Sequence, residues 1–150
     1  MHDFKNWPEL TNAQMDFYYF ESPHKQITRG FFATCVKVHD GDTITVRTNF
    51  RDFDFPIRLS YIDAPELNEP QGIESREWLK DRIIGKTIDV LINPADRVGK
   101  WGRILGVIMS DGMNINQESL MQRNAVAFGI QDFIPDFMGK ELRREKWLSA

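Results

Sequence analysis

The chain has 150 residues, of which 41% are hydrophobic and 27% charged; this suits one globular domain with a sizeable core and marks no second one. A formal net charge of −3 and a pI near 5.6 exclude a global basic field, so any polyanion must be held by a local patch. The single cysteine, Cys35, excludes an internal disulfide and a cysteine-based zinc site.

In chain order, residues 1–29 read as an extension ahead of a main fold over 30–150. Met1 to Pro8 has no continuous apolar stretch, so it is not a signal peptide, and no segment is long enough to cross a bilayer. The expectation is a cytoplasmic protein, or a secreted one if a leader has been removed. Asn12 to Phe20 predicts a short helix, broken at Ser22-Pro23-His24. Phe31 to Val38 is a first strand, in whose apolar run Cys35 reads as a buried, inert thiol. Asp40-Gly41 signals a tight turn into a second strand, where Ile44 and Val46 alternate with Thr43, Thr45 and Arg47. In a third strand Phe53, Phe55, Ile57, Leu59 and Tyr61 share one face, which sends Arg58 and Ser60 to the other. Pro56 within it predicts an edge or a bulge.

Ile73 to Ile84 predicts a helix ended by Gly85. Lys86 to Asn93 and Gly102 to Ser110 supply two more strands, the latter followed by an Asp111-Gly112 turn. Asn116 is placed as the cap of a helix through Leu120 and Met121, and a last helix is expected from about Asp136 to Trp147. Five short strands with a helix inserted after the third predict a mainly β fold with helices: a small closed barrel of the OB type.

The chemistry lies in charged groups at strand ends. Asp40-Gly41-Asp42-Thr43 alone reads as a hairpin turn. Asp63-Ala64-Pro65-Glu66 alone reads as a strand end with solvated acids, and Arg58 alone as a surface or salt-bridged arginine. Taken jointly they supply a set of parts. Asp42 and Asp63 can each give a carboxylate oxygen to a Ca²⁺-like ion, and the main-chain carbonyl of Ala64 a third. Glu66 can orient or deprotonate an attacking water. Arg58 and Arg103 can fork onto phosphate oxygens and oppose the charge that grows in the transition state. Three carboxylates against two arginines leave one net negative charge, which a divalent ion reverses, so metal dependence follows from the residue list. Local basic patches are expected from Arg97, Lys100 and Arg103 on one segment and Lys37, Arg47 and Arg51 on another.

Asp40-Gly41-Asp42-Thr43, Ile57-Arg58-Leu59 through Ile62-Asp63-Ala64-Pro65-Glu66, and Gly102-Arg103-Ile104-Leu105-Gly106 resemble the staphylococcal nuclease (thermonuclease) family, from about Phe31 to Phe128 and in the family's order. The resemblance implies an OB-fold barrel that cleaves DNA and RNA with Ca²⁺ and leaves 3′-phosphates. It implies metal ligation by Asp42, Asp63 and the Ala64 carbonyl, Glu66 as general base, and Arg58 and Arg103 as phosphate-binding residues. The substrate is then nucleic acid, single-stranded or locally opened, and the protein a monomer. Lys100 and Trp101 fall at substrate-binding positions. Trp101 replaces a family tyrosine, and its indole either stacks on a base or packs the loop. The family's downstream base-pocket tyrosines have no clear match, with Phe128 and Phe133 nearby.

Other polar residues have simpler readings. His39 is a hairpin histidine or a group behind the metal site. Glu69 and Glu74 are alternatives to Glu66, although Glu74 has a structural reason to open a helix. The rival from another class is a non-catalytic OB-fold module that binds nucleic acid or protein.

Overall fold

A computed structural model describes residues 1–129. The expected helix from Asp136 to Trp147, and Phe133, lie outside the described residues. Within the extension, helix α1 (Asn12–Tyr18) begins at a capping box. The Thr11 hydroxyl accepts from Gln14 N–H at 3.1 Å, and the Gln14 side chain accepts from Thr11 N–H at 3.0 Å. One further turn, Tyr19–Glu21, ends the helix before Ser22-Pro23.

The main fold is a barrel. Strands β1 (Phe31–Asp40), β2 (Thr43–Arg47) and β3 (Phe55–Leu59) form an antiparallel meander. β5 (Thr87–Leu91) pairs with the other side of β1, and β6 (Ile104–Ser110) with β5. A parallel ladder of Ile57, Arg58 and Leu59 on Ile104, Leu105 and Gly106 joins β3 to β6 and closes the circuit. This is the expected five-stranded OB-type barrel, and closure removes the sheet edges. Pro56 sits just before the residues that pair with β6, where that side of the strand is open. Phe53 and Tyr61 flank β3 rather than belonging to it, because Tyr61 takes a left-handed φ of 68° that ends the strand.

Helix α2 (Gly72–Ile83) crosses after the short strand β4 (Ile62–Asp63) and stops at Ile84-Gly85, Gly85 having φ 72°. It buries Leu79 and Ile83 among Ile44, Ile57, Leu59, Ile88 and Ile104 of the barrel. Asp111 and Gly112, both at positive φ, turn β6 into β7 (Met113–Asn114). Helix α3 (Ile115–Met121) follows, then β8 (Val126–Ala127), which pairs with β4.

Two local expectations are corrected. The cap of α3 is Asn114, whose side chain accepts from Gln117 N–H at 3.0 Å. Asn116 is buried instead and ties the helix to the barrel, accepting from Ile108 N–H and donating to the carbonyls of Ser60 and Gly106. In the first hairpin Asp40 pairs with Thr43, so the two loop residues are Gly41-Asp42, not Asp40-Gly41. A methyl on Gly41 would lie 2.0 Å from Ser75 Oγ and 2.6 Å from Ala64 Cβ. Close approach, not a left-handed backbone, requires this glycine. It presses the hairpin tip against the residues after β4 and the first turn of α2, which brings the two acidic segments together.

Candidate active site

Asp42 sits at that tip with its side chain only 9% exposed. Its Oδ2 accepts from Ala64 N–H at 2.8 Å and its Oδ1 from the Thr43 hydroxyl at 3.1 Å. Its carbonyl accepts from Leu59 N–H at 2.8 Å. The hairpin is therefore stitched to β3 and to the residue after Asp63. Asp63, the last residue of β4, is 62% exposed.

Arg58 leaves the polar face of β3 as the alternation predicts. Its Nη1 donates to the carbonyls of Leu59 and Ile62 at 2.8 and 2.9 Å, which fixes the plane of the guanidinium. Nη2 then lies 3.4 Å from Asp42 Oδ2 and 3.6 Å from Asp63 Oδ1. Acids distant along the polypeptide thus face one positive charge. Arg103, just ahead of β6, donates from Nη1 to the Thr43 hydroxyl at 3.2 Å and from Nε to Lys100 O at 3.3 Å. Burial lowers its pKa and Arg58 lowers it further, while Asp42 and Asp40 oppose the shift. The two arginines are close enough to repel, and Asp42 acts on both.

They also share a cleft of about 340 Å³ with Lys100 and Phe128. Phe128 lies 6.0 Å beneath the Arg58 guanidinium and is held there by its N–H on Tyr61 O at 2.8 Å. Trp101 is 66% exposed, and Lys100 Nζ is 5.3 Å from its ring.

Glu66 is exposed and opens on a second groove, of about 370 Å³, which it lines with Asp63, Ala64 and Glu69. A methyl on Gly72 would fall 1.8 Å from Glu66 O, so the start of α2 packs directly on the base of this loop. Glu69 holds it from the other side, accepting from Glu66 N–H at 3.0 Å. Glu66 is thus a neighbour of Asp63, while its carboxylate makes no bond to the arginines among the described residues. Glu74 lies in the first turn of α2.

Sequence reasoning gave Asp40 no role of its own. Its Oδ1 accepts from Asp42 N–H at 3.0 Å, and burial beside Asp42 pushes its pKa up to about 6. The Asp-Gly-Asp spacing was the available signal. The basic patches are largely corrected. Arg51 and Arg97 are buried against Glu9, and Arg47 pairs with Asp54, both bonds at 2.9 Å; Lys37, Lys100 and Arg103 remain. Cys35 is buried and its thiol pushed up to about 11 by desolvation, as an inert core residue requires. His39 is half-buried in β1, 2.7 Å from the Thr45 hydroxyl, and burial lowers its pKa.

Among the described residues no three His, Cys, Asp or Glu side chains form a ligand cluster. The donor set is instead the carboxylate oxygens of Asp42 and Asp63, which meet at Arg58. All are hard oxygens, and the remaining places would fall to water. That set fits a cation such as Ca²⁺ and does not fit zinc.

Comparison with known proteins bears on the family and not on the ion. A family model described as "Staphylococcal nuclease homologue" matches residues 56–141. A protein named "Uncharacterized endonuclease" from Escherichia coli is 37% identical over 116 residues, covering 74% of this chain and 71% of that one. A "Probable staphylococcal-like nuclease CAN3" from Oryza sativa subsp. japonica is 33% identical over 101 residues, 64% of this chain and 26% of that one. A "Micrococcal nuclease" from Shigella flexneri is 36% identical over 78 residues, 52% of this chain and 42% of that one. No helix among the described residues is long and apolar enough to cross a membrane. The matched span runs from β3 through the Asp63–Glu66 turn and Arg103 to β8 and beyond, over three of the five barrel strands and four of the five charged site residues, with β1, β2 and Asp42 ahead of it. By that match and by the barrel that carries it, this chain belongs to the staphylococcal nuclease family.

Proposed function

We propose that this chain is a Ca²⁺-dependent nuclease that hydrolyses phosphodiester bonds of DNA, RNA or both, on single-stranded or locally opened substrate. The observation that carries the reading is the position of Arg58 between Asp42 and Asp63, with Arg103 reaching Thr43 from the far side of the barrel closure.

Asp42, Asp63 and the carbonyl of Ala64 would hold the ion, which would supply positive charge to polarise the phosphate. Arg58, anchored through Nη1, presents Nη2 to the cleft, and Arg103 presents the second guanidinium. Together they bind the non-bridging oxygens and oppose the charge of the five-coordinate transition state. Glu66 takes the proton of the attacking water on the side where it and Asp63 share a groove. Lys100 holds the adjoining backbone phosphate, and the exposed Trp101 offers a base a stacking face.

A non-catalytic binding module is the competing reading, and the presence of all five charged groups in one region supports the enzyme over it. Digestion of labelled single-stranded DNA separates them. The chain should cut in Ca²⁺, stop in EDTA, and lose about 10²–10³ in rate as Arg103→Ala or Glu66→Gln. Equal activity in every sample, or strands held intact in all of them, would remove the assignment.

A further inference from the structure

The loop that carries Arg103, residues 97–103, is gripped at both ends by the N-terminal extension. At its base Arg97 donates from Nε to Ile27 O at 2.6 Å and from Nη1 to Leu10 O and Asn12 Oδ1, both at 3.0 Å. At its tip a methyl on Gly102 would lie 2.6 Å from Cε3 of Trp7, so the indole is packed directly on that glycine. Between these points the loop closes on itself, through the Val98–Ile104 bridge and Gly99 N–H to Arg103 O at 2.8 Å.

The direction of Arg103 depends on this turn. Trp101 and Gly102 are consecutive left-handed residues, with φ 67° and 72°, and Arg103 follows at once. Its own bonds, at 3.2 and 3.3 Å, are long for N–H···O, so they hold the guanidinium weakly. The main chain of Trp7 is tied within the extension. Its N–H donates to Asp3 O at 2.9 Å, and its carbonyl accepts from His2 Nε2 at 2.6 Å. Yet 41% of Trp7 remains exposed, so a core-filling role does not account for it.

We propose that Trp7 is a positioning residue for the phosphate-binding Arg103, which makes the extension a working part of the site. This rests on the nuclease reading above. Trp7 shapes the Trp101-Gly102 turn, and the turn aims the guanidinium. Displacing a reacting geometry by about 1 Å can cost roughly 10² in rate, so a loosened turn is sufficient to be seen.

The test uses the full chain carrying Trp7→Ala or Trp7→Phe, each alone and combined with Arg103→Ala. kcat and KM are measured on labelled single-stranded DNA, together with the thermal midpoint and amide exchange over residues 97–104. Trp7→Ala should lower kcat/KM by about tenfold, mainly in kcat, and Trp7→Phe should restore it to within about threefold. Over Arg103→Ala, Trp7→Ala should add less than about twofold, because the residue it acts through is gone. Exchange over 97–104 should quicken in Trp7→Ala with exchange in β1–β3 unchanged. A tenfold loss that persists over Arg103→Ala overturns the inference, since Trp7 would then touch substrate itself or support the whole barrel. Unchanged kinetics with unchanged exchange overturns it as well. If the unsubstituted chain cuts nothing, the nuclease reading fails separately, and exchange over 97–104 alone decides whether Trp7 holds the loop. If Trp7→Ala does not fold, Trp7→Leu takes its place with the same criteria.

Discussion

Arg51 and Arg97 share the carboxylate of Glu9 in the interior, whereas Arg58 and Arg103 face Asp42, Asp63 and Thr43 along an open cleft. The chemical groups are the same and the surroundings are not. The interior pair is held by fixed partners, although Nε and Nη1 of Arg51 and Nη2 of Arg97 have no hydrogen-bond partner among the described residues. Carbonyls of Lys25, Ile27 and Leu10 accept from the guanidiniums, and the rings of Phe53 and Phe55 lie 5.0 and 4.5 Å from Arg51. Burial lowers the pKa of both interior arginines, with Glu9 opposing the shift. The cleft pair keeps part of each guanidinium toward solvent, where a phosphate can reach it. An arginine shut inside against a fixed counter-charge holds the fold, and one whose guanidinium lines an open cleft can bind a ligand.

The largest expected effect breaks the interior set. Glu9→Gln leaves two buried guanidiniums without a counter-charge, which should cost about 3–5 kcal/mol of stability. A urea titration measures it, and a change below about 1 kcal/mol would mean that the arginines are not buried as described. The converse is Arg103→Lys. It keeps the charge, loses the planar fork, and should lower kcat/KM by about 10² with stability within about 0.5 kcal/mol. If instead it unfolds the chain and Glu9→Gln removes only activity, the two pairs have been assigned to the wrong regions.

The cleft pair was readable in the sequence because strand periodicity is local. Alternation of Phe55, Ile57 and Leu59 sets the side from which Arg58 leaves, and the glycine before Arg103 marks a loop end. The interior pair was not readable. Nothing beside Arg51 or Arg97 signals burial, since their partner Glu9 and the carbonyls of residues 10 and 27 lie far off in the chain. A charge met in sequence reads as solvated until its partner is known. Gly41 was legible as a turn and not as a contact, because Ser75 comes from a helix in another part of the chain. Asn114 and Asn116 are equally good caps by type, and only the buried donors and acceptors around Asn116 separate them. The ladder between β4 and β8 is two residues long, too short for any periodicity to show.

Asp40 sharpens the comparison from the acidic side. Its folded pKa of about 6 lies above the ordinary 3.8, so between these values the folded chain holds a proton that the unfolded chain has released. Stability therefore falls as pH rises through that window, and the cost is complete above about pH 6. Asp40→Asn keeps an acceptor for Asp42 N–H and removes the charge. In chelator it should be more stable than the parent by about 1 kcal/mol at pH 7, discounted from the full shift because the carboxylate is half-exposed. The gain should vanish below about pH 4. Urea titrations at both pH values decide it, and an equal gain at each would show that the charge beside Asp42 is not its source.

The smallest effect belongs to an arginine of neither pair. Arg47 and Asp54 join β2 to the loop before β3 through two parallel bonds of 2.9 Å, the regular fork geometry of an arginine–carboxylate pair. Both groups stand in water, where screening and the entropy of holding two side chains offset the attraction. Arg47→Ala should therefore leave the denaturation midpoint and the cleavage rate where they were, at low and at high salt. A clear loss of activity with the midpoint unchanged would place Arg47 on the substrate's path, and the open cleft would then extend along β2, beyond the arginines that define it here.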